Sequence, residues 1–220
     1  MQEHRHALDT RLKEIQASLL GLFTQVKLAL EQAASCLANS NTEDCSSIVE
    51  HDPDINRHRN QIEEDCLLAI ALHQPVAHDL REIVTAMRIA GELERMGDYA
   101  SDIATIIMQM KDADLTETAG TEVLRMSNLC IGMLDEVLAA YWEKDAAKAR
   151  MSAKMDDEID TAQEKLISTL FSTMQSRPDL VPSASRMLWI SHNIERCGDR
   201  ATNIAEQIVF MLEAEVIELD

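Results

Sequence analysis

The chain has 220 residues, enough for one domain or two small ones, and combines 46% hydrophobic residues with only 3% aromatic, six Gly and four Pro. That composition disfavours sheets, which draw on β-branched and aromatic residues, and suits long helices packed by Leu, Ile, Met and Ala. A formal charge of −19, from 39 acidic against 20 basic residues, repels nucleic acid and anionic lipid and leaves cations or a basic protein face as partners.

The polar start, Met1 to His6, carries no signal-peptide pattern. A first helix is expected over 3–39, where Leu8, Leu12, Ile15, Leu19, Leu22 and Val26 recur at alternating spacings of three and four. A second, over 43–73, has Asn41 and Thr42 as candidate caps. The longest uncharged apolar stretch, Cys66 to Ala77, contains Gln74 and Pro75 and is too short to cross a bilayer, so no direct membrane insertion is expected. Pro75 suits the first turn of a third helix over 76–111. The polar stretch from Lys111 to Glu122, with Gly120 and Thr121, marks a boundary between a domain at 1–112 and another at 117–220. Helices over 117–143, 146–176 and 182–217 follow, the last with Pro182 in its first turn. The five cysteines, Cys36, Cys45, Cys66, Cys130 and Cys197, include no CxxC pair; reduced thiols in the cytosol are the simple reading.

The two halves repeat each other. Glu94-Arg-Met-Gly-Asp-Tyr-Ala-Ser-Asp-Ile-Ala104 matches Glu195-Arg-Cys-Gly-Asp-Arg-Ala-Thr-Asn-Ile-Ala205 at seven of eleven positions, at an offset of 101. The apolar series of the last helix (Met187, Ile190, Ile194, Cys197, Ala201, Ile204, Ile208, Met211) maps by that offset onto Ala86, Ile89, Leu93, Met96, Ala100, Ile103, Ile107 and Met110. A duplicated unit leaves this signature. The expected fold is all-α: six long helices in two tandem three-helix bundles.

Each repeat sets Glu and Asp four residues apart, Glu94 with Asp98 and Glu195 with Asp199, so both carboxylates share one helix face. They repel by a few tenths of a kcal/mol, roughly, unless a multivalent cation bridges them. Hard oxygen ligands suit magnesium, calcium, manganese or iron. With Ile194 and Cys197 facing the core, these acids fall on the outward side. A second acidic pair, Asp156 and Asp160, lies one helix earlier, and its first-half counterpart is Asp52 with Asn56. Acidic pairs at this spacing are common by chance in so acidic a chain and usually mark a solvated face. The recurrence strengthens the metal reading, as do Gly97 and Gly198, each costing about 1 kcal/mol relative to Ala in a helix interior. Those glycines point to close access or to a close helix contact. His192 reads as a surface histidine, Arg95 and Arg196 as partners of neighbouring acids, and the methionines as core fillers. No catalytic residue and no cofactor-binding residue is expected: the chain has no nucleophile–base set, phosphate-cradling Gly loop or dinucleotide fingerprint.

The segments Gln74-Pro75-Val76-Ala77-His78-Asp79-Leu80-Arg81, Glu94 to Ala100, Met155 to Asp160 and Glu195 to Glu206 resemble, in order and over nearly the whole chain, the signatures of the PhoU family of bacterial phosphate-transport accessory proteins. The resemblance implies multinuclear metal clusters at the repeated ExxxD motifs, with iron, zinc, manganese, magnesium or calcium as candidates and Asp52, Glu94, Asp98, Asp156, Asp160, Glu195 and Asp199 as ligands. It implies a cytoplasmic adaptor and not an enzyme, a homodimer whose partners are the ATPase subunit of the phosphate ABC transporter and the phosphate sensor histidine kinase. Such an adaptor holds the starvation response off and restrains phosphate uptake. Asn56 and Pro53 depart from the pattern and set the first-half site apart. The alternatives are a ferritin-like carboxylate-metal protein, a metal-free helical scaffold, or a PhoU-like scaffold serving another transporter. The ferritin-like architecture needs Glu-x-x-His motifs projecting into a bundle, and the one match is Glu3 to His6.

Overall fold

A computed structural model describes residues 2–39, 42–110 and 119–219. Among them all regular structure is helical: α1 (Gln2–Asn39), α2 (Thr42–His73), α3 (His78–Met108), α4 (Ala119–Glu143), α5 (Ala146–Ala153), α6 (Asp156–Ser176), a 3-10 turn (Pro178–Leu180) and α7 (Val181–Glu213). No helix among the described residues is long and apolar enough to cross a membrane. The candidate cap Asn41, the side chains of Glu3 and Thr42, and residues 111–118 of the polar stretch lie outside the described residues.

The apolar series read from the sequence form the core. Leu8, Leu12, Ile15, Leu19, Leu22 and Val26 are buried along α1, and Met187 through Met211 along α7. On α3 the matching residues are buried as far as Ile107, while Met110, beyond the helix end, is only partly covered. Helices α1, α2 and α3 pack together, as do α4, α5, α6 and α7. The halves join through α3 against α7 and α1 against α4, so these four helices form the centre, with α2 on one flank and α5 and α6 on the other. The buried apolar residues form one continuous cluster. All five cysteines are buried and none forms a disulfide.

Helices α3 and α7 run antiparallel. The Arg81 Nε–H donates to the Met211 carbonyl (3.5 Å), the Arg88 guanidinium to Gln207 Oε1 (3.0 Å), and Arg200 and Asn203 both to Glu92 Oε2 (3.2 Å). A buried carboxylate, Glu82, ties α1 to α3 and the end of α4: it accepts from Gln16 at 2.5 Å and from Lys144 at 3.4 Å.

The structure departs from the sequence-based boundaries at the α5–α6 break, before α3 and at the end of α7. The fifth expected helix is broken at Lys154 and Met155 into α5 and α6. The break puts Asp156, Asp157 and Glu158 in the first turn of α6, where the unpaired N–H groups favour negative charge. In the first half α2 runs through Pro53, as the helix expected over 43–73 does. Pro53 cannot donate to the carbonyl four residues back, at Val49, so the ladder is interrupted at the height matching the α5–α6 break. Pro75 lies in the connection before α3, not in its first turn, between Gln74 (φ 47°) and Ala77 (φ 49°). Helix α7 stops at Glu213, because Ala214 is left-handed (φ 60°). Residues 214–219 then turn back, with the Leu219 N–H donating to Glu206 Oε1 at 2.9 Å.

Candidate metal centre

In the second half, α6 lies against α7 with Gly198 at the contact. A Cβ on Gly198 would collide with Asp156 Oδ1 and come within 3.2 Å of Ile159 Cδ1. The missing side chain thus makes room for the Asp156 carboxylate. The Thr202 hydroxyl donates to Asp156 Oδ2 at 3.2 Å, whereas Asp156 Oδ1 is buried with no hydrogen-bond partner. Asp160, one turn further along α6, is exposed. Glu195 and Asp199 face this pair from α7. They lie off the core, as the register requires, but α6 leans over them, leaving their side chains only 22% and 34% exposed. His192 Nδ1 is 3.3 Å from Glu195 Oε2, and the Arg196 guanidinium is 3.5 Å from Asp199.

These acids press on one another. Burial, then the charges of Asp160 and Asp199, push the Asp156 carboxyl up to about 7. Burial raises Asp160 and Glu195 as well, and in each Asp199 adds to the effect. At Glu195 burial and neighbouring negative charge outweigh the opposing charges of His192 and Arg196.

The first half repeats the plan with differences. Ile55 of α2 packs on Gly97 of α3, where a Cβ would meet its Cδ1 and Cγ2 at 3.1 Å. Here the glycine admits an apolar side chain and not a carboxylate. Burial, Glu94 and Asp52 push Asp98 up to about 6, and Arg95 sits 3.4 Å from it. Asp52 is raised by burial and by Asp102. Its Oδ1 is buried without a partner, and the Asn56 amide donates to Oδ2 at 3.4 Å.

Two contributors escaped the sequence reading. Thr202 steadies Asp156, and Asp102 acts on both Asp52 and Asp98. Asp102 faces Asn203 in the repeat alignment, the reverse of Asn56 against Asp160. Each half therefore gathers four carboxylates, and that exchange was the available signal. Arg95 and Arg196 pair with neighbouring acids, and His192 is exposed.

Among the described residues no group of three or more His, Cys, Asp or Glu side chains stands in position to hold a metal ion together. What fits a cation is the chemistry of the donor set: hard oxygens, an orphaned buried oxygen on Asp156 and one on Asp52, and a glycine cradle under Asp156. Side-chain rotation would be needed for joint ligation.

A pH test follows for metal-free protein. An acid whose folded pKa exceeds its unfolded value takes up a proton on folding between the two, so its stabilising contribution is lost as pH rises through the folded value. Asp156 titrates between its ordinary 3.8 and about 7. Asp156→Asn should therefore gain stability over wild type as pH rises from 5 to 8, by on the order of 1–2 kcal/mol after allowing for solvent screening. Chemical denaturation at the two pH values measures it; a constant difference would show that Asp156 is not strained.

The PhoU domain profile matches residues 19–107 and 123–208. Over 216 residues the chain is 31% identical to the phosphate-specific transport system accessory protein PhoU homolog of Streptococcus pneumoniae serotype 4, covering 98% of this chain and all of that one. It is similar to the crystal structure of the phosphate transport system regulatory protein PhoU from Streptococcus pneumoniae, with a TM-score of 0.90 at 30% identity over 96% of this chain and 99% of that one. It is also similar to the crystal structure of PhoU from Pseudomonas aeruginosa, with a TM-score of 0.88 at 27% identity over 94% and 99%.

Proposed function

This chain belongs to the PhoU family, and from that premise we propose that it is the regulatory accessory protein of a phosphate-specific transport system. The observation that carries this reading is the full-length match, in which both PhoU domains and the entire helical fold coincide with those relatives. Its role is regulation by contact, not catalysis.

In finer detail, the protein acts in the cytoplasm and links the transporter's ATPase subunit to the phosphate sensor kinase. It represses the starvation response and restrains uptake when phosphate is plentiful. A multivalent cation on the α6–α7 face, held by Asp156, Asp160, Glu195 and Asp199, organises these carboxylates; Asp52, Glu94 and Asp98 form the corresponding α2–α3 site. The support is the crowding of acids and the orphaned oxygens. A bound cation would offset that repulsion and present positive charge on an acidic surface. A ferritin-like reading gains no support, because the acids of the repeats lie outside the apolar core cluster.

Deleting the gene should switch on phosphate-starvation genes in phosphate-rich medium, read as reporter expression, and complementation should restore repression. A deletion strain with normal regulation, and no second copy of the gene to cover the loss, would overturn the proposal.

A further inference from the structure

The two halves differ in a groove as well as in their acids. Between α1 and α2 lies an open cavity of about 190 Å³, lined by Leu28, Ala29, Ile48, His51, Ile55 and Gly97. The second half shows what belongs there. The buried series of α1 maps onto that of α4 at an offset of 104: Leu19 onto Val123, Val26 onto Cys130, Leu30 onto Leu134, Ala33 onto Val137. The same offset relates Ile55 to Ile159, both buried at a glycine. In this register Ala29 corresponds to Met133, which is fully buried, and His51 to Met155, which packs against the core with its Cε 3.8 Å from where a Gly132 Cβ would lie. Two methionines thus lie at this space in the second half, Met155 over Gly132, where the first half carries Leu28. In the first half Ala29 is too short to fill it, and His51 is turned to solvent, its Nδ1 2.7 Å from the Ser47 carbonyl. Leu28, at the rim, is 51% exposed.

We propose that this groove is a docking socket for a partner protein, taking a flexible apolar side chain of methionine or leucine size flanked by a basic residue. The apolar part of this assignment comes from the second half, whose own methionines lie at the matching space. The basic part comes from charge. Asp54, which the α2–α3 cation site does not use, stands at the groove, on a chain of net charge −19. Asp54 is paired with Arg57, an exposed surface pair that a partner's guanidinium can replace. Long flexible apolar side chains adapt to an irregular cavity, and an adjacent charge fixes their direction. The proposal rests on the reading of this chain as a regulator that works by contact.

The test uses the full-length protein and overlapping peptides of about 15 residues covering the transporter's ATPase subunit and the cytoplasmic region of the sensor kinase. Binding is followed by fluorescence anisotropy. Peptides pairing Met or Leu with Arg or Lys should bind wild type. Ala29→Met and His51→Met, which copy the fillers of the second half, should each weaken that binding about tenfold or more. Replacing the basic residue of a bound peptide by Glu should do the same. Thermal melting reports whether each variant is folded, and the two variants crowd the groove from different helices, so a misfolded one does not remove the test. Failure of every peptide to bind, or equal binding by both folded variants, overturns the proposal. So does a wild-type dimer that either variant dissociates, since the occupant would then be a second copy. If deletion derepresses the starvation genes but Ala29→Met and His51→Met complement fully and bind the peptides normally, the socket falls and the proposed function stands. A deletion strain with normal regulation removes the function, whatever the groove binds.

Discussion

Replacing Glu195 by Gln and Asp199 by Asn together is expected to strip the α6–α7 face of bound cation. These residues supply one of the two carboxylate pairs there, and an amide oxygen ligates without charge, so each substitution removes a direct Coulombic attraction to the ion. Elemental analysis of protein purified without chelator should show metal in wild type and its loss from this face in the variant, a fall of about half if the α2–α3 face loads equally. Stability should move in the opposite sense when metal is absent. Glu195 is raised by burial and by Asp199, so removing both charges relieves repulsion, and the metal-free variant should melt no lower than metal-free wild type at pH 8. Added manganese at about 100 times the dissociation constant of the α6–α7 site should then stabilise wild type by about 2.7 kcal/mol more than the variant. Wild-type protein with no affinity for magnesium, calcium, manganese, zinc or iron would sink the metal reading.

The second large effect concerns the joined core. Leu19 is fully buried on α1, in the apolar cluster that runs through both halves. Leu19→Ala should cost about 3–5 kcal/mol from lost transfer energy and the cavity left behind. For a chain of this size that is roughly a 10 °C fall in melting temperature. The fall should appear as one cooperative transition seen equally by Trp142 and Trp189 fluorescence, although both tryptophans lie in the second half. The reason is that α1 packs on α4 and α3 on α7, so the first half cannot unfold without exposing the second. Two separate transitions, or a tryptophan signal untouched by the mutation, would show that the halves fold independently.

Much of this architecture could be read from residue spacing. The series Leu8 to Val26 and Met187 to Met211 set the core faces of α1 and α7, because apolar periodicity records burial directly. Other features depend on tertiary packing and left weaker traces. The break at Lys154 and Met155 contains neither Gly nor Pro, and its one trace in the sequence is the three acids that open α6. Pro75 looked like a helix start, but the positive φ values on either side keep it in a turn. Glycines at the same repeat position gave one signal for two structures: both admit an isoleucine of the facing helix, and Gly198 admits a carboxylate as well. Which side chain crosses a helix contact depends on the facing helix, and a one-helix motif does not contain it. Asp102 was visible in the alignment but lay outside the ExxxD spacing that drew attention. Its influence on Asp52 appears only once α2 lies beside α3.

The antiparallel contact of α3 with α7 brings together two copies of one motif helix, so its form is that of an isologous dimer interface written into a single polypeptide. Two consequences follow. The partners can never be diluted apart, since the covalent link fixes a high effective concentration. More importantly, the pseudo-symmetry is free to break. In a true homodimer every substitution appears on both sides of the axis, so a residue that improves one copy alters the other. Here Asn56 stands opposite Asp160, Asp102 opposite Asn203, and Ala29 opposite Met133. One gene can therefore hold one lobe to its ancestral chemistry while the other lobe is remodelled, a division of labour that identical subunits cannot achieve.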